Sequence, residues 1–488
     1  MKIINNILLN NTIKFSFFLF PFFLVSGPFL ADLFVSFFIV FFFILKKDIN
    51  YKKILSRFFL FFLIFFYFYI NINSLFSDFI TASFKSSFPY FRFIIFSLML
   101  CFFLNFIEGL KKIIIYSFVI IYLILVIDSS FQIIFGFNTI GLPLSEADRV
   151  SSFFGTKLVM GSFVARTFPI IIALTYLENI SYKKIIQISI IVISGYLIFI
   201  SAERVAFVFY IIITGFYLLL NFKKKYFVPL ILIFSMFIFL LILLKPVAYK
   251  RLILSTITQS KQASSIFFHS YRHELHYLTA YNIFKDRLFF GHGIKSFRYL
   301  CSQSKYAPLE KIELDNKVFA SHSGQLIFYT SAEGFKFFKI IKDSNDNDDQ
   351  ILSTKRIMGP NLVYYKKNLD TVKKDEAILS DYEFNDGCNT HPHNLHLQFL
   401  SELGLLGYSF LLFFSFFILI NIIKIILKYF RLSNLQNKDL CLFFLLLNVL
   451  NSINPFLPSG NFFNNWLSII FYFNIGILIF AFKVKLFK

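Results

Sequence analysis

The sequence predicts an all-α polytopic membrane protein of about twelve transmembrane helices, carrying one large mixed loop outside the bilayer. Three observations predict it. Hydrophobic residues fill 57% of the 488 positions and Phe alone supplies 76, more than a water-facing surface accommodates. Runs such as Tyr226 to Leu244 and Phe462 to Ala481 reach the roughly 20 apolar residues that a hydrocarbon core of ~30 Å requires. Basic clusters punctuate the runs: Lys46, Lys47, Lys52, Lys53 and Arg57; Lys111 and Lys112; Lys183 and Lys184; Lys223 to Lys225; Lys424, Lys428 and Arg431; Lys483, Lys485 and Lys488. This is the positive-inside pattern. The net charge of +21 therefore points to membrane lipids as neighbours and not to nucleic acid, whose readers gather their cations on one folded face.

An even number of spans separates the basic clusters if residues 9–25 and 29–45 form two short helices turning at Gly27 and Pro28. Both termini are then expected on the cytoplasmic side of the inner (plasma) membrane. The first run has no small-residue cleavage site behind it and is read as an anchor. Further spans are expected at 57–71, 89–107, 112–127, 158–177, 184–200, 204–221 and 226–244, and then at 404–427, 439–456 and 462–482. The chain divides accordingly into a bundle of about nine spans over 1–244, a loop domain over 245–396 and three C-terminal transmembrane helices over 397–488.

The loop lies outside the cytoplasm by this topology and is too rich in apolar and aromatic residues for disorder. Phe267, Tyr271, Leu275, Leu278 and Ile283 recur at helical spacing within 262–287, which reads as an amphipathic helix lying on the bundle, and Gly291 and Gly293 end that section. An insertion at 321–386 changes to short β-prone pieces, Gln325 to Thr330 and Asn361 to Tyr365. The acidic stretch Asp343 to Asp349 between them is read as a solvated turn, since its spacing fits no calcium loop.

All eight histidines, at 269, 273, 276, 292, 322, 391, 393 and 396, fall in this one loop. Avoidance of lipid explains their absence from the spans but not from the other loops, so a catalytic histidine is expected here. His393 and Asn394 are followed by nine residues and then by Gly404, Leu405, Leu406 and Gly407. Read as one helix, the spacing returns Gly404 to within about 20° of His393, and glycines three apart admit a close neighbour. On that reading the imidazole points into a protein-lined cleft. Glu203 and Arg204 form a charge pair where the seventh span gives way to the eighth, with interfacial anchoring as the plain alternative. Arg272 belongs to the amphipathic helix, and Arg166 lies about 9 Å inside the sixth span, where snorkelling competes with function. Arginines at headgroup depth match a lipid-linked diphosphate, because guanidinium forks pair phosphate oxygens. A nearby imidazole can take the proton of an attacking hydroxyl.

The stretch His-Asn, nine residues, Gly-x-x-Gly at 393–407 resembles the signature of bacterial O-antigen ligases and the related O-antigen polymerases. The upstream run Gly291-His292-Gly293-Ile294-Lys295-Ser296-Phe297-Arg298, with Arg204 and Arg272 in their expected places, extends the resemblance from about residue 128 to 410. It implies a C-type glycosyltransferase-like enzyme, without metal or cofactor, that takes a glycan from undecaprenyl diphosphate at the periplasmic face. His393 is then the general base, with His391, Asn394, Gly404, Gly407 and Glu203 in support. Arg204 and Arg272 hold the diphosphate, with Arg166 as a further candidate. The acceptor is a lipid A core sugar in a ligase and another lipid-linked glycan in a polymerase. The long loop and the match at 391–407 favour the ligase, while the length of the insertion leaves the acceptor side open.

Cys101 and Cys441 read as apolar filler, whereas Cys301 and Cys388 share the loop and are candidates for a disulfide in an oxidising periplasm. The rival for Cys388 is a metal site with His391 and His393, opposed by its spacing and cationic surroundings. A lipid-linked glycan transporter or flippase is the alternative from another class, and it calls for repeats and midplane charges that are not evident. An envelope scaffold is a third.

Overall fold

The computed structural model describes residues 7–45, 57–145, 149–262, 269–306, 388–432 and 434–486, together with seven strands between 310 and 385. Lys46, Lys47, Lys52, Lys53, Phe267, His322 and the turn Asp343 to Asp349 lie outside the described residues. The helices in chain order are α1 (Ile7–Ser26), α2 (Pro28–Leu45), α3 (Arg57–Leu75), α4 (Ile80–Ser87), α5 (Phe91–Phe106), α6 (Leu110–Phe135), α7 (Met160–Leu177), α8 (Lys183–Ser201), α9 (Arg204–Asn221) and α10 (Phe227–Leu244). The loop adds α11 (Pro246–Tyr249), a π-helical turn over Lys250–Leu254, α12 (Ser255–Gln262), α13 (Tyr271–Asp286) and α14 (Phe297–Leu300). The chain then closes with α15 (Leu395–Leu432), α16 (Asn437–Ser452) and α17 (Asn465–Leu486).

Each of the twelve stretches read as a span coincides with one of these helices. Among the described residues eight are long and apolar enough to cross a membrane, nine if the bent pair Leu232–Leu243 and Pro246–Lys261 is one span. Pro28–Ile44 and Phe62–Leu75 are shorter apolar helices.

The centre of the bundle is built from α5, α7, α16 and α17, which pack on one another. Their sequences are apolar all round, and so they bury all round: Phe443, Phe444, Leu445 and Leu446 have no exposure. Phenylalanine does much of the filling. The Phe20 ring meets Phe34 and Phe473 at centroid distances of 4.9 Å, tying α1, α2 and α17 together. The break between α1 and α2 falls at Gly27, whose φ of +126° suits a residue without Cβ, followed by Pro28 at the first helical position.

Between α14 and α15 the chain forms two antiparallel sheets. One has the order β1 (Glu310–Lys311), β7 (Tyr382–Asn385), β6 (Leu362–Lys366), β5 (Ile351–Thr354); the other β2 (Phe319–Ala320), β3 (Gln325–Thr330), β4 (Gly334–Lys339). Strands β3 and β6 fall on the β-prone pieces of the sequence. The amphipathic helix of the loop is α13, shorter than 262–287, with Leu275 and Ile283 buried and Leu278 exposed.

Candidate functional site

The first part of the site is a group of arginines gathered at one end of α7 to α9. Helix α8 ends at Ser201, Ala202 adopts a left-handed φ of 53°, and α9 starts at Arg204, so Glu203 and Arg204 sit on a tight turn. They are not a pair with each other: the turn sends them to different partners. Glu203 reaches α7, where Oε1 accepts from Gly161 N at 2.7 Å and Oε2 from Ser162 N at 3.1 Å, capping the positive end of that helix. Arg204 donates through Nε to Arg251 O at 3.2 Å and through Nη1 to Gln259 Oε1 at 2.7 Å, which fastens the start of the large loop to the bundle.

Two arginines that the sequence reading passed over join them. Arg149 donates to Ser201 O at 3.1 Å and Leu158 O at 3.4 Å. Arg251 projects from the π-helical turn, and its buried Nε has no hydrogen-bond partner among the described residues. Burial, with Arg251 and Arg204 adjacent and Glu203 opposing, pushes the Arg149 guanidinium down to about 10, so it stays charged near neutrality. Burial raises the Glu203 carboxyl to about 7 against the pull of Arg149, the two backbone N–H groups and Arg166. One partly ionised carboxyl thus faces Arg149 and Arg166, with Arg204 and Arg251 close by, and the excess charge is positive.

The second part is a histidine cluster. His393 lies 4.2 Å from His391, 5.1 Å from His276 and 5.6 Å from His273, ring centroid to ring centroid. His273 and His276 share a face of α13 at a spacing of three. Asn389 Nδ2 lies 3.0 Å from His393 Nε2 and orients the ring, a role that sequence gave no reason to assign. His393 itself has a left-handed φ of 56°, and its carbonyl accepts from Ser459 N at 2.8 Å. His391 Nε2 lies 3.2 Å from Ser459 O. Burial, then His276 and Arg298 nearby, lower the His391 imidazole to about 4 despite the contact with Ser459, so it is neutral at physiological pH. Asn394 caps α15, its Oδ1 accepting from His396 N at 2.9 Å and Leu397 N at 3.1 Å, while its Nδ2 donates to Pro455 O. With His269 near Phe456 O and His396 near Ile453 O, the turn between α16 and α17 is gripped from the loop side. Arg272 is in the first turn of α13, next to His273; its side chain lies outside the described residues.

The single-helix reading of 393–407 is corrected. His393 precedes the helix, which begins at Leu395, and Gly404 breaks it with φ 66° and ψ −170°. Asn394 cannot both cap and continue a helix, and the conformation at Gly404 is one that only glycine adopts readily. The break frees backbone groups that pair with the chain at 288–293: Leu405 N donates to Leu288 O, Leu406 N to Phe289 O, His292 N to Ser401 O and Gly293 N to Glu402 O. A Cβ on Gly404 would stand 2.4 Å from Phe289 O, so this glycine serves a backbone crossing and not a helix face. Gly407 does meet a neighbouring helix, lying against Leu403 and Tyr69 of α3.

A disulfide joins Cys301 and Cys388, Cα to Cα 4.9 Å, and ties the segment before the sheets to the histidine loop after them. Cys101 and Cys441 are buried and unbonded. Among the described residues no group of three or more His, Cys, Asp or Glu side chains is arranged to hold a metal ion.

The two parts meet at a small cavity lined by Arg166 of α7, Leu395 of α15, and Ser452, Ser459, Gly460, Phe462, Leu467 and Phe471. Arg166 donates to Ser162 O at 3.3 Å, and its own carbonyl accepts from Asn448 on α16 at 2.8 Å. Ser459 is the residue whose backbone holds His391 and His393. A second, apolar cavity lies next to it and shares Phe462 and Phe471; its other walls include Phe62, Phe66, Phe410 and Phe414.

The fold and site define an integral membrane protein whose arginines and histidines converge at one end of its bundle, with polar and apolar cavities side by side. The model of a family described as O-antigen ligase matches residues 189–329, less than a third of the chain. The matched stretch takes in Arg204, Arg251, Arg272 and Arg298 and stops short of His393 and Gly404. No curated protein and no solved structure matches the chain.

Proposed function

We propose that the protein transfers a glycan from undecaprenyl diphosphate to a sugar hydroxyl of lipid A core at the periplasmic face, as an O-antigen ligase. The observation that carries this reading is the shared cavity, with Arg166 on one wall and Ser459, the backbone partner of His391 and His393, on another. Arg149, Arg166, Arg204, Arg251 and Arg272 hold the diphosphate, and the polyprenyl chain runs into the adjoining phenylalanine-lined cavity. The acceptor oxygen attacks the anomeric carbon as His393 takes its proton. The bond between that carbon and the diphosphate oxygen breaks, and the departing charge stays on polyprenyl diphosphate, stabilised by the arginines.

His393→Ala is expected to lower transfer about 10²–10⁴-fold in membranes that still contain the inserted protein. Unchanged transfer would remove the assignment. A strain lacking the protein is expected to accumulate lipid-linked polymer beside uncapped core. Core capped by a single repeat unit would instead identify a polymerase. Vesicle flipping that survives His393→Ala would identify a transporter.

A further inference from the structure

A second pair of cations has charged neighbours other than the arginines assigned to the diphosphate. Lys295 and Arg298 flank the start of α14. Their segment is pinned from both ends: Gly293 N donates to Glu402 O at 2.7 Å, and Cys301, one turn after Arg298, is bonded to Cys388, three residues before His391. Lys295 has a left-handed φ of 64°. Neither its ammonium nor the Arg298 guanidinium makes a hydrogen bond or ion pair among the described residues, and Arg298 Nε is buried without a partner. The carboxyl group near both, Glu402, is fully buried; its Oε2 accepts from Gln398 Nε2 at 3.1 Å, and its Oε1 has no hydrogen-bond partner among the described residues. Arg92, the other cation near Lys295, is already paired with Asp32 at 2.8 Å. Two half-buried cations with at most one carboxylate between them repel each other, and an incoming anion offsets that cost.

His391 has a neighbour in each cationic group's surroundings. Its Nε2 lies 3.2 Å from Ser459 O, on the Arg166 cavity, and its other neighbours include Arg298. We propose that Lys295 and Arg298 form a second anion subsite, separate from that of the donor diphosphate, which binds a phosphate carried by the acceptor. This rests on reading the site as one of glycan transfer. An ammonium and a guanidinium side by side suit phosphate oxygens, the guanidinium fixing two and the ammonium adding charge. A subsite on the acceptor side of the histidines orients the attacking hydroxyl toward His393.

The test uses the full-length protein in nanodiscs, with lipid A core acceptor before and after phosphatase treatment. The wild type is expected to show a KM about tenfold or more lower for the phosphorylated acceptor. That ratio should fall toward one in Arg298→Gln and Lys295→Gln and be partly restored in Arg298→Lys. A wild-type ratio near one overturns the proposal, as does a ratio that survives in both Gln variants. Equilibrium dialysis against inorganic pyrophosphate gives a readout free of catalysis. Two sites per chain are expected in the wild type, one in Lys295→Gln/Arg298→Gln and one in Arg166→Gln/Arg204→Gln. The remaining site in each double variant shows that it has folded. Two sites persisting in Lys295→Gln/Arg298→Gln overturn the proposal, whereas two persisting in Arg166→Gln/Arg204→Gln overturn the donor reading alone. If phosphatidylglycerol in the disc abolishes the second site and phosphatase treatment changes nothing, the anion is a lipid headgroup, and the acceptor assignment fails.

Discussion

The imidazole at position 391 has a measurable consequence for stability. Burial, with His276 and Arg298 near it, lowers its pKa from the usual 6.5 to about 4. Between those values the unfolded chain binds a proton that the folded chain refuses. Folding stability is therefore whole above pH 6.5 and falls as the pH drops toward 4, by up to about 1.4 kcal/mol per unit from this group. Thermal unfolding of the solubilised protein from pH 7.5 to 4.5 is expected to show that slope, and His391→Asn to flatten it. An unchanged slope in His391→Asn would assign the dependence to another group. Residue identity was the most legible level of the sequence. His393, Asn394 and Gly404 were singled out from their types and spacing, while Arg149, Arg251 and Asn389 were not, because a lone polar residue in a loop carries no periodicity. Spacing misled in one place: a separation of eleven fits three helical turns, but here it joins a left-handed residue, a capping residue and a chain crossing.

At the scale of elements, the crossing of α15 over the chain at 288–293 and the disulfide beside it hold the histidine loop in place. Gly404 adopts a glycine-only conformation, and a Cβ there would meet Phe289 O at 2.4 Å. Gly404→Ala is expected to cost at least about 1–3 kcal/mol from the backbone alone, seen as a lower unfolding midpoint, and to reduce transfer with it. A variant of native stability would show that the crossing tolerates a side chain. The bond between Cys301 and Cys388 closes a loop over a sequence separation of 87, and a constraint of that length is worth about 4–5 kcal/mol on chain-entropy grounds. Cys301→Ser/Cys388→Ser is expected to unfold at a lower temperature and to lose transfer, since Cys388 lies only five residues before His393. Helix and strand positions were readable because hydrophobic runs and β-prone pieces are local signals. The Cys301–Cys388 bond was also readable, from two cysteines sharing one extracytoplasmic loop, whereas the kink and the grip on the turn between α16 and α17 are contacts between distant segments of which one sequence holds no record beyond the residue types.

At the scale of the whole molecule, the positive-inside pattern and the site make one prediction together. On the proposed topology lysines crowd the short cytoplasmic loops, and Arg149, Arg204, Arg251, Lys295 and Arg298 fall on the opposite side. The proposed site, built on the cavity lined by Arg166 and Ser459, needs the histidine loop and the turn at Glu203 on the same face of the membrane. Single cysteines at Thr390, beside His393, and at Thr258, on α12 next to Arg204's partner Gln259, both replace exposed residues. The native cysteines do not interfere, two being bonded and two buried. In intact cells with a permeabilised outer membrane, both new cysteines are expected to react with a membrane-impermeant maleimide, and one at Lys112 only after lysis. If Thr390→Cys and Thr258→Cys label from opposite sides, the arginines cannot hold a diphosphate within reach of His393, and glycan transfer at this site fails along with the subsite built on it.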